Sequence, residues 1–216
     1  MEDNAVILDY LPLGYVNEDM STFKRKPIAQ AIGIENFTLL ELIPKEGLDL
    51  EIHENVFIGK DKEQRDKIGR VKGKFEFEKL TATSRVELDY VIREIIESNS
   101  TKFIKFFNES GSINTRIHQL ELLPGIGKKH MLAILEAREK QPFESFEDIK
   151  ERVPLLKDPV SILVQRVKIE LDNTTVRRGK NKYTLFTYIQ KEGQDQNKRR
   201  NRPQKRNNNG RNNRRN

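Results

Sequence analysis

Cysteine and tryptophan are absent from this chain of 216 residues, and histidine occurs three times. Without cysteine there is no disulfide scaffold, no iron–sulfur cluster, no thiolate zinc site and no thiol nucleophile. His53, His118 and His130 are far apart in sequence and form no HxxH or HxxxH pair, so no metal site is expected. Long apolar runs are also missing. The longest, Met131–Leu135, is far short of the ~20 residues that a membrane-spanning helix needs. The N-terminus opens with Glu2 and Asp3, and its apolar run stops after Leu8, which is not the pattern of a secretory leader. The expectation is a cytoplasmic protein with no membrane, metal or cofactor.

Charge is present in excess of one sign, but unevenly. Lys and Arg number 40 against 33 Asp and Glu, a net of +7. Residues 191–216 alone hold ten basic and two acidic side chains, which leaves the rest of the chain at about −1. Residues 193–216 carry no aliphatic or aromatic side chain and cannot offset the entropy of ordering, so a disordered tail is expected. Arginine outnumbers lysine there, and arginine both pairs bidentately with phosphate and stacks on bases. This favours contact with RNA over a purely solubilising role.

The body reads in two parts. Short β-rich segments occur at Ala5–Leu8, Ile28–Ile34, Phe37–Ile43, Val56–Ile58 and, in strict alternation, Lys74–Glu78. Five such strands suggest a small β-barrel, with an OB-like barrel the first candidate among several barrel types. From Thr83 the pattern changes. Ser84-x-x-Glu87 is a capping-box pattern, and Leu88, Val91, Ile92, Ile95 and Ile96 follow at helical spacing. Phe103, Phe106 and Phe107 mark a second helix and read as core, and the chain then reads helical to Leu171. Lys182–Ile189 is β-branched and aromatic and reads as a strand returning to the barrel.

The sharpest motif runs from Leu120 to Arg138. A helix is expected to end at Leu123, where Pro124 removes a donor and turns the chain. Gly125 and Gly127 admit backbone conformations closed to other residues and let a ligand approach. A second helix starts at Lys128, with its first amides unpaired and the positive end of its dipole outward. That arrangement suits phosphate, and Lys128 and Lys129 add charge. Ile126 is expected to plug the groove between the two helices. Residues 145–171 look like a degenerate second copy, with Ser145-x-x-Asp148 and Asp158-Pro159 as helix starts. It has no GxG, and Asp158 would repel phosphate, so this copy reads as structural, packing on the first.

The Leu123–Lys129 segment resembles the helix-hairpin-helix motif, which implies binding to a sugar-phosphate backbone without sequence readout. The motif usually has alanine where this chain has Met131. The AVILDYLPLG opening, the LPGIGKKHMLAILEAR hairpin, the FEDIKERV and DPVSILVQR segments and the late aromatic strand together are similar to an archaeal family known as DUF655. The resemblance covers roughly 1–190. It implies an OB-like barrel joined to a helix-hairpin-helix unit, and nucleic-acid binding. It also implies a setting among ribosome-related genes, which tilts the expectation from DNA toward RNA.

The reading is therefore an α+β chain: an OB-like β-barrel over 1–82, an all-α paired helix-hairpin-helix domain over 83–172 with the motif at 112–171, a strand within 173–190, and a disordered basic tail over 191–216. The expected function is non-catalytic binding of nucleic acid, RNA in preference to DNA, in ribosome assembly or translation, with ribosomal or ribonucleoprotein components as candidate partners. Candidate contacts are Gly125, Ile126, Gly127, Lys128 and Lys129, with Lys24, Arg25 and Lys26 in one basic loop and Arg177 and Arg178 in another. Lys60–Lys74 adds seven basic residues against three acids, to be read either as a binding face or as solvated loops. One alternative is a DNA-binding accessory protein of repair or replication. The other is a glycosylase/lyase with Lys129 as the reacting amine and Glu147 or Asp148 as the acid. The Gly/Pro-Asp context of such enzymes is missing, so no enzyme is expected.

Overall fold

The computed structural model of the protein describes residues 2–15, 26–172 and 183–187. Its first part is a five-stranded sheet: β1 (Asn4–Leu11), β2 (Ile28–Gly33), β3 (Leu39–Pro44), β4 (Asn55–Phe57) and β5 (Ile68–Lys74). The order is β4-β1-β2-β3-β5 and every pairing is antiparallel. Register shifts at Leu8 in β1 and at Lys72 and Gly69 in β5 mark bulges that curl the sheet. Among the described residues the two edges, β4 and β5, do not pair with each other, so the sheet is a half-barrel rather than a closed barrel.

The central strands are buried on both faces, as their unbroken apolar runs require. On one face Ala5, Ile7, Ala29, Ala31, Leu42, Val56 and Ile68 form a small core of their own. On the other, Val6, Leu8, Ile32, Phe37 and Leu39 join the helices in a single larger core. The helices are α1 (Ala82–Ser98), α2 (Ser100–Glu109), α3 (Lys128–Lys140), α4 (Phe146–Arg152) and α5 (Pro159–Leu171). Leu88, Val91, Ile92, Ile95 and Ile96 of α1 and Phe103 and Phe107 of α2 are buried, as their spacing predicts.

Several expected elements differ. Lys74–Glu78 is not a strand: β5 ends at Lys74, and Phe77–Lys79 is a 3-10 turn. Phe75 and Phe77 pack against the helical core instead of alternating on a sheet. Helix α1 starts earlier than the Ser84-x-x-Glu87 pattern predicts. Its N-cap is Thr81, whose hydroxyl accepts from the Ser84 amide at 3.0 Å. The sheet fixes that start: the Thr81 hydroxyl donates to Asp9 at 2.6 Å and its amide donates to Gln30 at 3.0 Å. Between α2 and the Leu120 motif the chain is not helical but forms a small hairpin, β6 (Ser112–Asn114) and β7 (Ile117–His118). The Asn114 side chain accepts from the Arg116 and Ile117 amides and closes its turn.

Of the strand expected over 182–189, the described residues Tyr183–Thr187 form a bend, not a strand. Their backbone needs are met by a side chain rather than by a sheet edge. The Glu170 carboxylate accepts from the Leu185, Phe186 and Thr187 amides at 2.8–3.0 Å. Phe186 packs between the Phe103 and Phe106 rings, with centroids at 5.5 and 5.1 Å.

Candidate nucleic-acid interface

The segment ahead of α3 is shorter and tighter than a helix. Gln119–Leu122 is a single 3-10 turn, capped reciprocally. The Leu120 amide donates to His118 Nδ1 at 3.1 Å, and the His118 amide donates to Glu121 Oε2 at 3.0 Å. The chain then reverses through Leu123-Pro124-Gly125-Ile126. The Ile126 amide donates to the Leu123 carbonyl at 3.1 Å, and Gly125 sits at φ +76°. Proline second and a positive-φ glycine third are the residues that a type II turn demands.

The two glycines therefore do different things. A Cβ on Gly125 would meet no atom within 4 Å, so its requirement is conformational. Gly127 has φ −96° and ψ −178°, extended backbone that any residue adopts, and it too has open space around it. The expectation that both glycines serve backbone geometry is corrected for Gly127. It is the N-cap of α3, and no side chain caps the helix there. Glycine at that position leaves the first amides of α3 without a side-chain acceptor.

Ile126 is buried in the helical core, while Gly125, Gly127, Lys128 and Lys129 are exposed. Neither Lys128 nor Lys129 forms an ion pair among the described residues. The arginines nearby are committed. Arg138 donates to the Phe107 carbonyl at 2.9 Å. Arg152 donates to Asp148 at 2.9 Å and to the Gln141 carbonyl at 2.6 Å, and lies over the Phe143 ring. These arginines are thus spent on the scaffold around α2, α3 and α4, and the lysines beside the turn are left free.

The second copy lies against the first. Helix α4 is capped by Ser145, which accepts from the Asp148 amide at 3.0 Å. Val153-Pro154-Leu155-Leu156 is again a turn closed from fourth amide to first carbonyl, at 2.8 Å, and Leu156 is buried as Ile126 is. Helix α5 starts on Asp158 with Pro159 at its first position. Asp158 accepts from the Ser161 amide at 2.9 Å and from the Ser161 hydroxyl at 2.6 Å, and meets Arg93 at 3.4 Å. Burial alone would raise its carboxyl, but these donors outweigh it and hold the pKa below the ordinary aspartate value. A shallow depression of about 320 Å³ separates the two turns.

One residue ties the copies together. Arg166 of α5 is fully buried; it donates to the Leu122 carbonyl at 3.0 Å, to Glu170 at 2.7 Å and to the Tyr183 carbonyl. The sequence reading singled out neither Arg166 nor the depression. Both depend on the packing of α5 against the 3-10 turn, 44 residues away in sequence.

Among the described residues no contact gathers the other candidates at this place. Lys26 is exposed just ahead of β2. Lys24, Arg25, Arg177, Arg178 and the tail 191–216 lie outside the described residues. In the 60–74 stretch Arg65 is buried on the Gly59 carbonyl, Lys67 pairs with Glu54 and Lys72 with Glu41. At least three of its seven basic groups are therefore satisfied within the protein. Asp148, the candidate lyase acid, is held by Arg152 and by the Glu144 amide. Among the described residues no cluster of three or more His, Cys, Asp or Glu side chains could hold a metal, and no helix is long and apolar enough to cross a membrane.

Comparison with known proteins assigns the family. The model of a family described as a protein of unknown function, DUF655, matches residues 1–188. The chain belongs to the DUF655 family. It is 44% identical over 185 residues to the uncharacterised protein MJ0038 of Methanocaldococcus jannaschii, covering 86% of this chain and 79% of that one. It also matches the crystal structure of Af1531 from Archaeoglobus fulgidus, a DUF655 protein. That match has 43% identity and a TM-score of 0.78, and covers 87% of this chain and 100% of that one.

Proposed function

We propose that this DUF655 protein is a non-catalytic nucleic-acid-binding protein. In this reading the Leu123–Lys129 turn works as a helix-hairpin-helix grip on the sugar-phosphate backbone, and the curled sheet is the OB-like part of the same architecture. The observation that carries the reading is the start of α3. A thirteen-residue helix begins on a glycine with no capping side chain, its first residues are exposed, and two unpaired lysines stand beside it. The helix dipole and unpaired amides favour an anion there. RNA is preferred over DNA, in the setting of ribosome assembly or translation, because of the arginine-rich tail and the resemblance that the sequence carries.

The test is fluorescence anisotropy of the full chain with single-stranded RNA, competed by duplex DNA. Lys128→Gln together with Lys129→Gln should weaken binding at least tenfold without changing the melting temperature. Unchanged affinity in the folded variant removes this turn from the interface. If the tail neutralises about four phosphates of a single strand, residues 1–190 alone should show a slope of log K against log salt shallower by about 3, from about 0.7 per phosphate. Tighter competition by duplex DNA favours the repair or replication reading. Covalent trapping by borohydride on an abasic duplex would instead establish the lyase.

A further inference from the structure

The depression between the turns adds a second kind of contact to the one proposed above, and its meaning rests on that reading. We propose that it receives one unpaired nucleobase of a strand whose backbone runs over Leu123–Gly127, so that the ligand is single-stranded rather than duplex. Pro124 and the His130 ring stand on the α3 side, and Leu155 and Ile162 on the α5 side. At about 320 Å³ it falls at the lower end of small-molecule sites, roughly 300–1,000 Å³. Its lining is mostly apolar, from Pro124, Ile126, Leu155, Leu156 and Ile162, with polar groups supplied by His130, Lys157, Asp158 and Ser161. A nucleobase matches this distribution, because its faces are apolar and its hydrogen-bonding groups lie on its edge.

Charge fixes which way round the nucleotide lies. Asp158 holds a negative charge at the α5 rim, and the Ser161 amide that would otherwise meet a phosphate is already bonded to it. Lys157 is offset by the adjoining Asp158, whereas Lys128 and Lys129, beyond Gly127, stand with neither a partner nor an adjoining acidic residue among the described residues. A phosphate therefore belongs at the α3 start and the base between the turns. Leu155 is 43% exposed and faces a depression that it cannot fill, which accounts for a large apolar side chain at the place of Gly125 in the other turn. In a duplex the bases are stacked and paired, and none is available to enter.

The experiment measures anisotropy of the full chain, at one salt concentration, with an oligouridylate, an abasic strand of equal length and an RNA duplex of equal length. The oligouridylate should bind about tenfold tighter than the abasic strand, the scale of one base stacked on a protein surface. Leu155→Glu, at an exposed position, should bring the two strands level, and Leu155→Ala should do so in part. Lys128→Gln with Lys129→Gln should weaken both strands alike. Equal binding of the two strands by the unaltered chain overturns the base site and leaves the phosphate grip standing, and so does tighter binding of the duplex. Failure to bind any of the three overturns both.

Discussion

In the turn at Leu123–Gly127, proline is followed by a glycine at φ +76°, and the helix behind it starts on a glycine with no capping side chain. In the turn at Val153–Asp158, proline is followed by leucine, and the helix starts on Asp158, whose carboxylate takes the Ser161 amide. Both turns plug the core with the fourth residue, Ile126 or Leu156. The shared part is packing; the differing part is what becomes of the first amides of the helix. A capping side chain stabilises a helix by about 1 kcal/mol and satisfies the donors that would otherwise hold an anion. The capped copy is the more self-sufficient, and the uncapped copy is the one whose first helix amides no side chain occupies.

The largest effect should come from the residue that joins the copies. Arg166→Met removes the buried partner of Glu170 and the donor to Leu122, and loss of one member of a buried pair costs about 3–5 kcal/mol. Thermal denaturation should show a large fall. Replacing Glu170 by Met as well should recover little, because the Leu185, Phe186 and Thr187 amides then lose their acceptor. Full recovery in the double variant would mean that the ion pair, and not the 183–187 segment, is what α5 supports.

The next effect separates the glycines. Gly125→Ala forces a Cβ into the left-handed region and should cost about 1–2 kcal/mol. Gly127→Asp meets no such penalty. It reproduces the start of α5 in α3, so stability should stay level or rise by up to about 1 kcal/mol. RNA affinity should nevertheless fall at least tenfold, since the new carboxylate occupies the amides and repels phosphate. A destabilised Gly127→Asp variant would show that the two helix starts are not equivalent. A stable one with undiminished affinity would remove the α3 start from the interface.

Much of this could be read in the sequence wherever a local pattern decided the structure. The α1 and α2 faces, the strands around Val6, Ala31 and Leu40, the Ser145 and Asp158 caps and the burial of Ile126 all follow from period and capping chemistry. Distant partners decided the rest. Thr81 rather than Ser84 caps α1 because Asp9 and Gln30 hold it. Tyr183–Thr187 is no strand because a carboxylate on α5 takes its amides. Glu2, which reads as mere polarity at the chain start, is buried on the Glu35 and Asn36 amides of the β2–β3 turn. Alternation at Lys74–Glu78 misled because Phe75 and Phe77 both belong to the helical core. Gly127 misled for a different reason: GxG suggests backbone freedom, whereas the second glycine matters for the side chain it omits.

The smallest expected effect is acid sensitivity confined to the first copy. Its 3-10 turn is capped by His118 Nδ1, which accepts from the Leu120 amide and must be unprotonated to do so. Burial lowers the His118 pKa, the Arg138 charge lowers it further, and Glu121 only partly opposes them. The folded value thus lies below the ordinary value of 6.5. The unfolded chain binds the proton first, so the contribution of neutral His118 is fully present above about 6.5 and is lost as pH falls through the lower folded value. The corresponding cap in the second copy is Ser145, which does not titrate in this range. Hydrogen exchange should therefore show the Leu120, Leu123 and Ile126 amides losing protection as pH falls below the ordinary histidine value, with Ile149 and Leu156 unaffected. His118→Asn keeps an acceptor at the cap without the titration and should abolish the difference. Equal acid loss in both copies, or persistence of the difference in His118→Asn, would assign the acid sensitivity to carboxylates elsewhere and leave the two turns electrostatically alike at their entry.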